Sequence, residues 1–388
     1  MDAVEPMNAS DTDRYGWPTP DQTLLLQAAL QTGNPALDAW AAWRRGDIEK
    51  LDDASFRMLP LLYSNLRAQG VADPVLEVYK GVYRKTWYKN RLFLHRIAGV
   101  LEELGDAGIR TMTLKGAALA VLCYADPGLR PMDDFDVLVP AGQVEDAIGV
   151  LDRHGWSPQQ PWPGPVTADY LCTRHAHNFR DAENRALDLH WHVLIESCAP
   201  GADDDFWAGA LPMTLYGVPT LALSPADQLL HCCAHGSSWS PVPPMRWAAD
   251  AATLIRKPYA PLDWDRFVAQ AQKRHLVLTM LGALLYLARL DVAIPQEVVT
   301  QLETAPVSRL ERSAYHTKTR CYSLLGWWPA LWYRYLLYSP LHDGRSRAGR
   351  LAAFPRYLQH TWELPGLRYL PSVAFARGMR RLARGLWR

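Results

Sequence analysis

Asp134 and Asp136 flank Phe135 in the run DDFDVLV (133–139), and this pair of alternate acids is the sharpest chemical feature of the 388-residue sequence. A strand sends successive side chains to opposite faces. Asp134 and Asp136 therefore project together, about 7 Å apart along the strand, while Phe135 and Val137 point the other way. Like charges at that spacing need a counter-charge. Mg²⁺ supplies one, because it takes carboxylate oxygens and keeps positions for substrate phosphates; Mn²⁺ is the alternative. The same alternation recurs in ALDLHWH (186–192), where Asp188, His190 and His192 share one face and Leu187, Leu189 and Trp191 the other. If the two strands are neighbours, Asp188 completes a carboxylate triad. Such a triad holds one or two metals and sets a hydroxyl in line with a phosphorus atom. Asp188 is also a candidate to take that hydroxyl's proton.

Lys115-Gly116 sits at a turn between IRTMTL (109–114) and AALAVLCY (117–124). Glycine lets backbone approach a phosphate, the helix N-terminus offers N–H groups, and Lys115 adds a cation. In the loop ADPGLRPM (125–132), Arg130 has a guanidinium suited to phosphate, or to an ion pair with Asp133 or Asp126. Asp133 faces away from Asp134 and reads as a turn or N-cap acid. His175, His177, His190 and His192 alternate along paired strands with no thiol at ligand spacing, so packing and hydrogen bonding are expected of them rather than zinc binding. His231 and His235 share a helical face and lack the intervening glutamate of a zinc protease. Two roles are open to them, lining the substrate side of a cleft and hydrogen bonding between helices, and the second is the one expected.

The elements that must position these residues follow from periodicity. Apolar residues at three- and four-residue spacing predict helices over 35–45 and 53–69, with one long amphipathic helix over 74–104. Short β-branched runs predict strands at 109–114 and 133–139, with a helix at 142–154 after them. An antiparallel hairpin is expected from His175–Arg180 and Ala186–Leu194. Ser224-Pro225-Ala226-Asp227 opens another helix, Arg246–Ile255 forms the next, and helical patterns continue from about Asp263 to the end. The division is a loose tail at 1–20, a helical region at 21–105, a core at 106–215, and a C-terminal helical region at 216–388 with a basic end. The fold class expected is α+β, a small mixed sheet flanked by helical regions.

At this point the residues carry a resemblance. TLKGAALAVLCYADPGLRPMDDFDVLV (113–139) resembles the signature block of an uncharacterised bacterial nucleotidyltransferase-like family, within the DNA polymerase β-type nucleotidyltransferase superfamily. LDLHWHV (187–193) and LLHCCAHG…MRWAADAATLI resemble its later strand and helical stretch. The resemblance covers roughly 74–255 and implies a nucleotidyltransferase core. It maps the glycine turn onto Gly116, the paired acids onto Asp134 and Asp136, and the later acid onto Asp188. Where typical members place Gly-Ser at the turn, this chain has Lys115-Gly116 and then Ala117, so Lys115 is expected to take over the phosphate-binding role.

Composition bounds the rest. Lys and Arg number 41 against 40 Asp and Glu, giving no global signal for nucleic acid or membrane. The charge is uneven: Arg345–Arg388 holds ten arginines against the single acid Glu363, about +9, leaving the remainder near −8. With the aromatic run at 324–338, that basic end is a candidate for a peripheral anionic membrane or an acidic partner, set against a helical core with a solvated arginine face. No basic face is evident in the core, so a nucleic-acid acceptor is not expected. Phe206–Ala226 and Gln228–Met245 lack charge but are broken by prolines, which argues against a membrane span. The six cysteines show no CxxC, the N-terminus has no secretory pattern, and a cytoplasmic setting is expected. The reaction expected is Mg²⁺-dependent transfer of a nucleotidyl group, AMP first, from an NTP such as ATP to a hydroxyl of a small molecule, peptide or protein. Kinase-type transfer from the same site and an inactive binding module are the alternatives.

Overall fold

The N-terminal part winds into helices where the apolar spacing predicts them. α1 (Pro20–Leu30) opens on a capping box in which the Gln22 backbone N–H donates to the Thr19 hydroxyl and the Thr19 N–H donates to the Gln22 side chain. α2 (Asn34–Trp43), the short α3 (Asp53–Phe56), α4 (Leu59–Ala68) and the long α5 (Val75–Asp106) follow. α5 buries Phe93, Leu94, Ile97, Leu101 and Leu104 along one stripe, the face such a helix lays on a sheet. This computed structural model describes residues 16–44, 48–160, 166–238, 240, 242–320, 328–339, 346–362 and 364–376. The tail to residue 15, the start of the aromatic run, Arg345 and the arginines from Arg377 onward lie outside the described residues.

The sheet comes next. In chain order it is built from β1 (Met112–Thr113), α6 (Lys115–Leu122), β2 (Asp134–Leu138), α7 (Val144–Arg153), β3 (Ser157–Pro158), α8 (Ala168–Thr173), β4 (Ala176–Arg180), β5 (Ala186–His190), α9 (Asp204–Ala208), β6 (Leu211–Leu215) and β7 (Val218–Ala222). Strand order is β3-β4-β5-β2-β1-β7-β6. β2 runs parallel to β5 and antiparallel to β1, and β1 runs parallel to β7. The β4–β5 hairpin is the expected antiparallel pair. The β6–β7 hairpin is not among the sequence expectations. It turns on Tyr216-Gly217 at φ 49° and 89°, the double left-handed conformation of a tight two-residue turn. It also carries the sheet past residue 215, where the sequence reading ends the core.

α10 (Pro225–Gly236), α11 (Arg246–Arg256), α12 (Trp264–Lys273), α13 (Val277–Arg289), α14 (Gln296–Thr304), α15 (Arg309–Thr319), α16 (Trp328–Tyr338) and α17 (Arg347–Thr361) complete the described chain. The fold is α+β, a mixed sheet with helices before and after it. One apolar layer joins α1, α2 and α4 to α10–α14 and to Met112 and Leu114. A second lies on the opposite side, where Phe135, Val137, Leu187 and Leu189 meet α5 and α7. Tyr338, Tyr357 and Leu358 form a small aromatic core between α16 and α17. No described helix is long and apolar enough to cross a membrane.

Candidate active site

Parallel pairing of β2 with β5 sets Asp136 beside Asp188 and Asp134 beside Ala186. Phe135, Val137, Leu187 and Leu189 are fully buried, each contributing about 2 kcal/mol. The register that buries them is the one that sends the acids to the other face. There Asp134 is exposed, Asp188 half-buried and Asp136 buried. With Lys115, Gly116 and Arg130 they line a cavity of about 500 Å³. α10 and α11 contribute further lining residues, among them His231, His235 and Arg246.

β1 ends in the turn that delivers Lys115, and the Leu114 N–H donates to the Asp136 carbonyl at 3.0 Å. Lys115 has φ 42°, a left-handed backbone that costs a non-glycine residue about 1 kcal/mol. Strain of this kind gathers at functional sites. The Lys115 ammonium donates to Asp136 Oδ1 at 2.5 Å, and His190 Nε2 lies 2.9 Å from the same oxygen. His190 Nδ1 is 3.2 Å from the His192 carbonyl. Burial alone would raise the Asp136 carboxyl, but the Lys115 charge and His190 hold it well below the usual carboxylate range. Asp188 moves the other way, raised by burial first and then by the Asp136 charge. Its Oδ1 accepts from Asn178 Nδ2 at 2.5 Å. Ligand atoms of Asp136, Asp188 and His190 lie within 4.8 Å of one another, close enough to share a cation.

The raised Asp188 carboxyl has a consequence for stability. A folded pKa above the unfolded value means that ionised Asp188 costs stability at neutral pH, and that the cost vanishes once pH falls below the unfolded value of about 4. Asp188→Asn keeps an acceptor for Asn178 and removes the charge. Its melting temperature without metal is expected to exceed that of the wild type at pH 7, with the gain shrinking toward pH 4. A lower melting temperature at pH 7 would contradict this.

Arg130 is buried and its acid is Asp250, not Asp133 or Asp126. Arg130 Nε and Nη2 donate to Asp250 Oδ1 and Oδ2 at 2.8 and 2.7 Å, and the Tyr124 hydroxyl donates to Oδ1 at 2.8 Å. Asp133 pairs instead with Arg57 and Lys89. Asp126 accepts from the Tyr83 hydroxyl and the Gly128 N–H. Gly116 lies under the guanidinium: a Cβ there would stand 2.7 Å from Arg130 Nη1. Glycine is what lets α6 begin at this point.

The histidines divide. β5 ends at His190, so the alternation expected to carry His192 onto the acidic face stops short, and His192 Nδ1 pairs with Asp203 Oδ2 at 2.5 Å. His177 bonds the Tyr170 hydroxyl and the Gln160 carbonyl. His231 and His235 line the cavity, the cleft role left open for them, rather than the helix-tying role expected first. His231 Nδ1 has no hydrogen-bond partner, and burial, then the Lys115 charge, hold its pKa well below the usual imidazole range.

Asp53, Arg57 and Arg246 also line the cavity, and sequence reasoning missed all three. Arg246 Nη1 donates to the Pro131 carbonyl at 2.8 Å, and among the described residues its guanidinium makes no ion pair. Burial, then the neighbouring Arg130, draw its pKa down to about 10, which leaves it cationic at neutral pH. Two signals for Arg246 were available, its place as the first charged residue after the charge-free stretch Gln228–Met245 and its position in the MRWAADAATLI segment that carries the resemblance.

Residues 54–290 match the model of a family described as uncharacterised nucleotidyltransferase. That span is more than half of the chain, and the chain belongs to this family. Among solved structures, an antigenic nucleotidyltransferase-like protein from Paracoccidioides brasiliensis matches with 14% identity and a TM-score of 0.33, covering 55% of this chain and 94% of its own. No curated protein matches.

Proposed function

We propose that this protein moves a nucleoside monophosphate, AMP in the first instance, from a nucleoside triphosphate to a hydroxyl, using a divalent metal held by Asp134, Asp136 and Asp188. The observation that carries this reading is a complementary pair of leftovers in one cavity. Asp134 and Asp188 face it without a cation paired to them among the described residues, and Arg246 faces it without an acid. Hard carboxylate oxygens suit Mg²⁺ or Mn²⁺, and a guanidinium in the same cavity suits a polyphosphate. A cation bound there neutralises triphosphate charge and orients the attacking oxygen.

The chain's own residues supply the rest. Lys115 and the uncapped N-terminus of α6 flank the acids and hold phosphate oxygens. Gly116 keeps that approach open, and Arg130 presents Nη1 beside it. Asp188, the strand neighbour of Asp136, takes the hydroxyl proton. The new P–O bond forms at the α-phosphorus as the α–β anhydride breaks, and pyrophosphate leaves. His190 holds Asp136 through Oδ1, the arrangement by which a neighbour orients a metal ligand. The described cysteines are free, which supports a reducing compartment such as the cytoplasm. The arginine-rich sequence from Arg345 onward is proposed, from its charge alone, to meet an anionic membrane or an acidic partner.

Transfer of label from α-labelled ATP, with none from γ-labelled ATP, is the expected outcome in a Mg²⁺-dependent reaction; label from the γ position would mean a kinase instead. Arg246→Gln should weaken Mg–ATP binding about 10- to 100-fold, the loss of a charge-assisted contact, and leave adenosine binding unchanged by calorimetry. Equal losses for both ligands would remove Arg246 from phosphate recognition.

A further inference from the structure

Beside the carboxylate cavity lies a second one of about 310 Å³. The two share Asp53 and Arg57 in their walls, so they adjoin across that rim. We propose that this side cavity is the acceptor pocket, and that the acceptor is a small alcohol carrying a phosphate or carboxylate group. The proposal rests on the nucleotidyl-transfer reading and names its substrate class.

Charge is the first support. Arg57, Lys85 and Lys89 line the side cavity against two acids, Asp53 and Asp133. Arg57 and Lys89 converge on Asp133. Lys85 then has no carboxylate within ion-pair distance among the described residues. Lys85 and Lys89 stand four residues apart on α5, a like-charge spacing that destabilises a helix by itself. An anion between them relieves that repulsion.

The polar lining gives the second support. Asn90 is fully buried, and its Nδ2 donates to the carbonyls of Pro127 and Arg130 at 2.6 and 2.7 Å. Its Oδ1 has no partner, which is a buried acceptor waiting for a donor such as a ligand hydroxyl. Val82, Pro131 and Met132 supply an apolar wall, and the volume sits at the small end of ligand sites, roughly 300 Å³ and upward. With its anionic group among the lysines, such an alcohol directs a hydroxyl over the Asp53–Arg57 rim toward the carboxylates. The hydroxyl oxygen bonds the α-phosphorus, pyrophosphate departs, and the proton passes to Asp188.

Calorimetry with glycerol 3-phosphate, glycerate and glycerol tests this directly, on the wild type, Lys85→Gln/Lys89→Gln, the milder Lys85→Gln, and Asp136→Asn. Both anions are expected to bind the wild type at least tenfold more tightly than glycerol. The double lysine variant should lose that preference, Lys85→Gln should lose part of it, and Asp136→Asn should keep it while losing Mg–ATP binding. Equal affinity for glycerol and the anions, or anion binding indifferent to both lysine variants, overturns the pocket. Absence of Mg–ATP binding by the wild type counts against the transfer reading alone, because the anion measurements contain no nucleotide.

Discussion

Asp136→Asn is expected to cut turnover roughly a thousandfold, the equivalent of about 4 kcal/mol of transition-state stabilisation from a lost metal contact. Asp136 is where the site converges: Lys115 and His190 both donate to its Oδ1, and Asp188 is its strand partner. The amide cannot carry the charge that all of these address. Pyrophosphate release measured beside thermal melts separates a chemical loss from an unfolded protein. The substitution has an acid signature as well. Asp136 is held well below the usual carboxylate range, so its ionised form stabilises the fold above the unfolded pKa of about 4, and that contribution fades as pH falls through the lower folded value. Urea midpoints of the wild type should therefore drop more steeply below pH 4 than those of Asp136→Asn. Parallel slopes, or turnover within tenfold of the wild type, would remove Asp136 from the centre of the site.

The largest stability effect is expected at Asp250. Arg130 and Asp250 are 5% and 4% exposed, and cutting one member of such a pair leaves the other charge buried and uncompensated. Asp250→Ala should cost about 3–5 kcal/mol in urea denaturation. It also strands the Tyr124 hydroxyl, which shares the carboxylate. Arg130→Met combined with Asp250→Leu should recover most of the loss, because an apolar pair of similar volume removes the desolvation cost along with the attraction. The same series decides what Arg130 does. A strut between the loop at 125–132 and α11 shows the stability loss; a group that meets the nucleotide directly shows lost ATP affinity with a loss below about 1 kcal/mol.

Local pattern carried most of what the sequence revealed. The alternation in DDFDVLV and ALDLHWH predicts which side chains share a face, because strand geometry is a two-residue rule that needs no partner. It predicts Asp134 with Asp136, and it identifies Asp188 as a third acid if the strands are neighbours. It stops at His190, since alternation in the letters continues after pairing has ended. β6 and β7 were hidden by Pro212 and Pro219, which read as breakers. β6 is an edge strand, where a missing N–H is tolerated. The Tyr216-Gly217 turn between two alternating runs was the available signal. Asp250 and Arg246 belong to a helix more than a hundred residues from the loop they support, and no local periodicity links them to Arg130 or Pro131. Long-range ion pairs of this kind are settled by packing, which a single sequence does not display.

The leucines of β5 and its acid occupy alternate places on one short strand, so they cannot be set independently. A one-residue slip of β5 along β2 would turn Leu187 and Leu189 toward the cavity and press Asp188 and His190 into the apolar layer beneath α5. Such a molecule loses its core at the moment it loses its ligands. Folding thus checks the alignment of the site: a copy with these acids turned inward is also unstable and open to proteolysis.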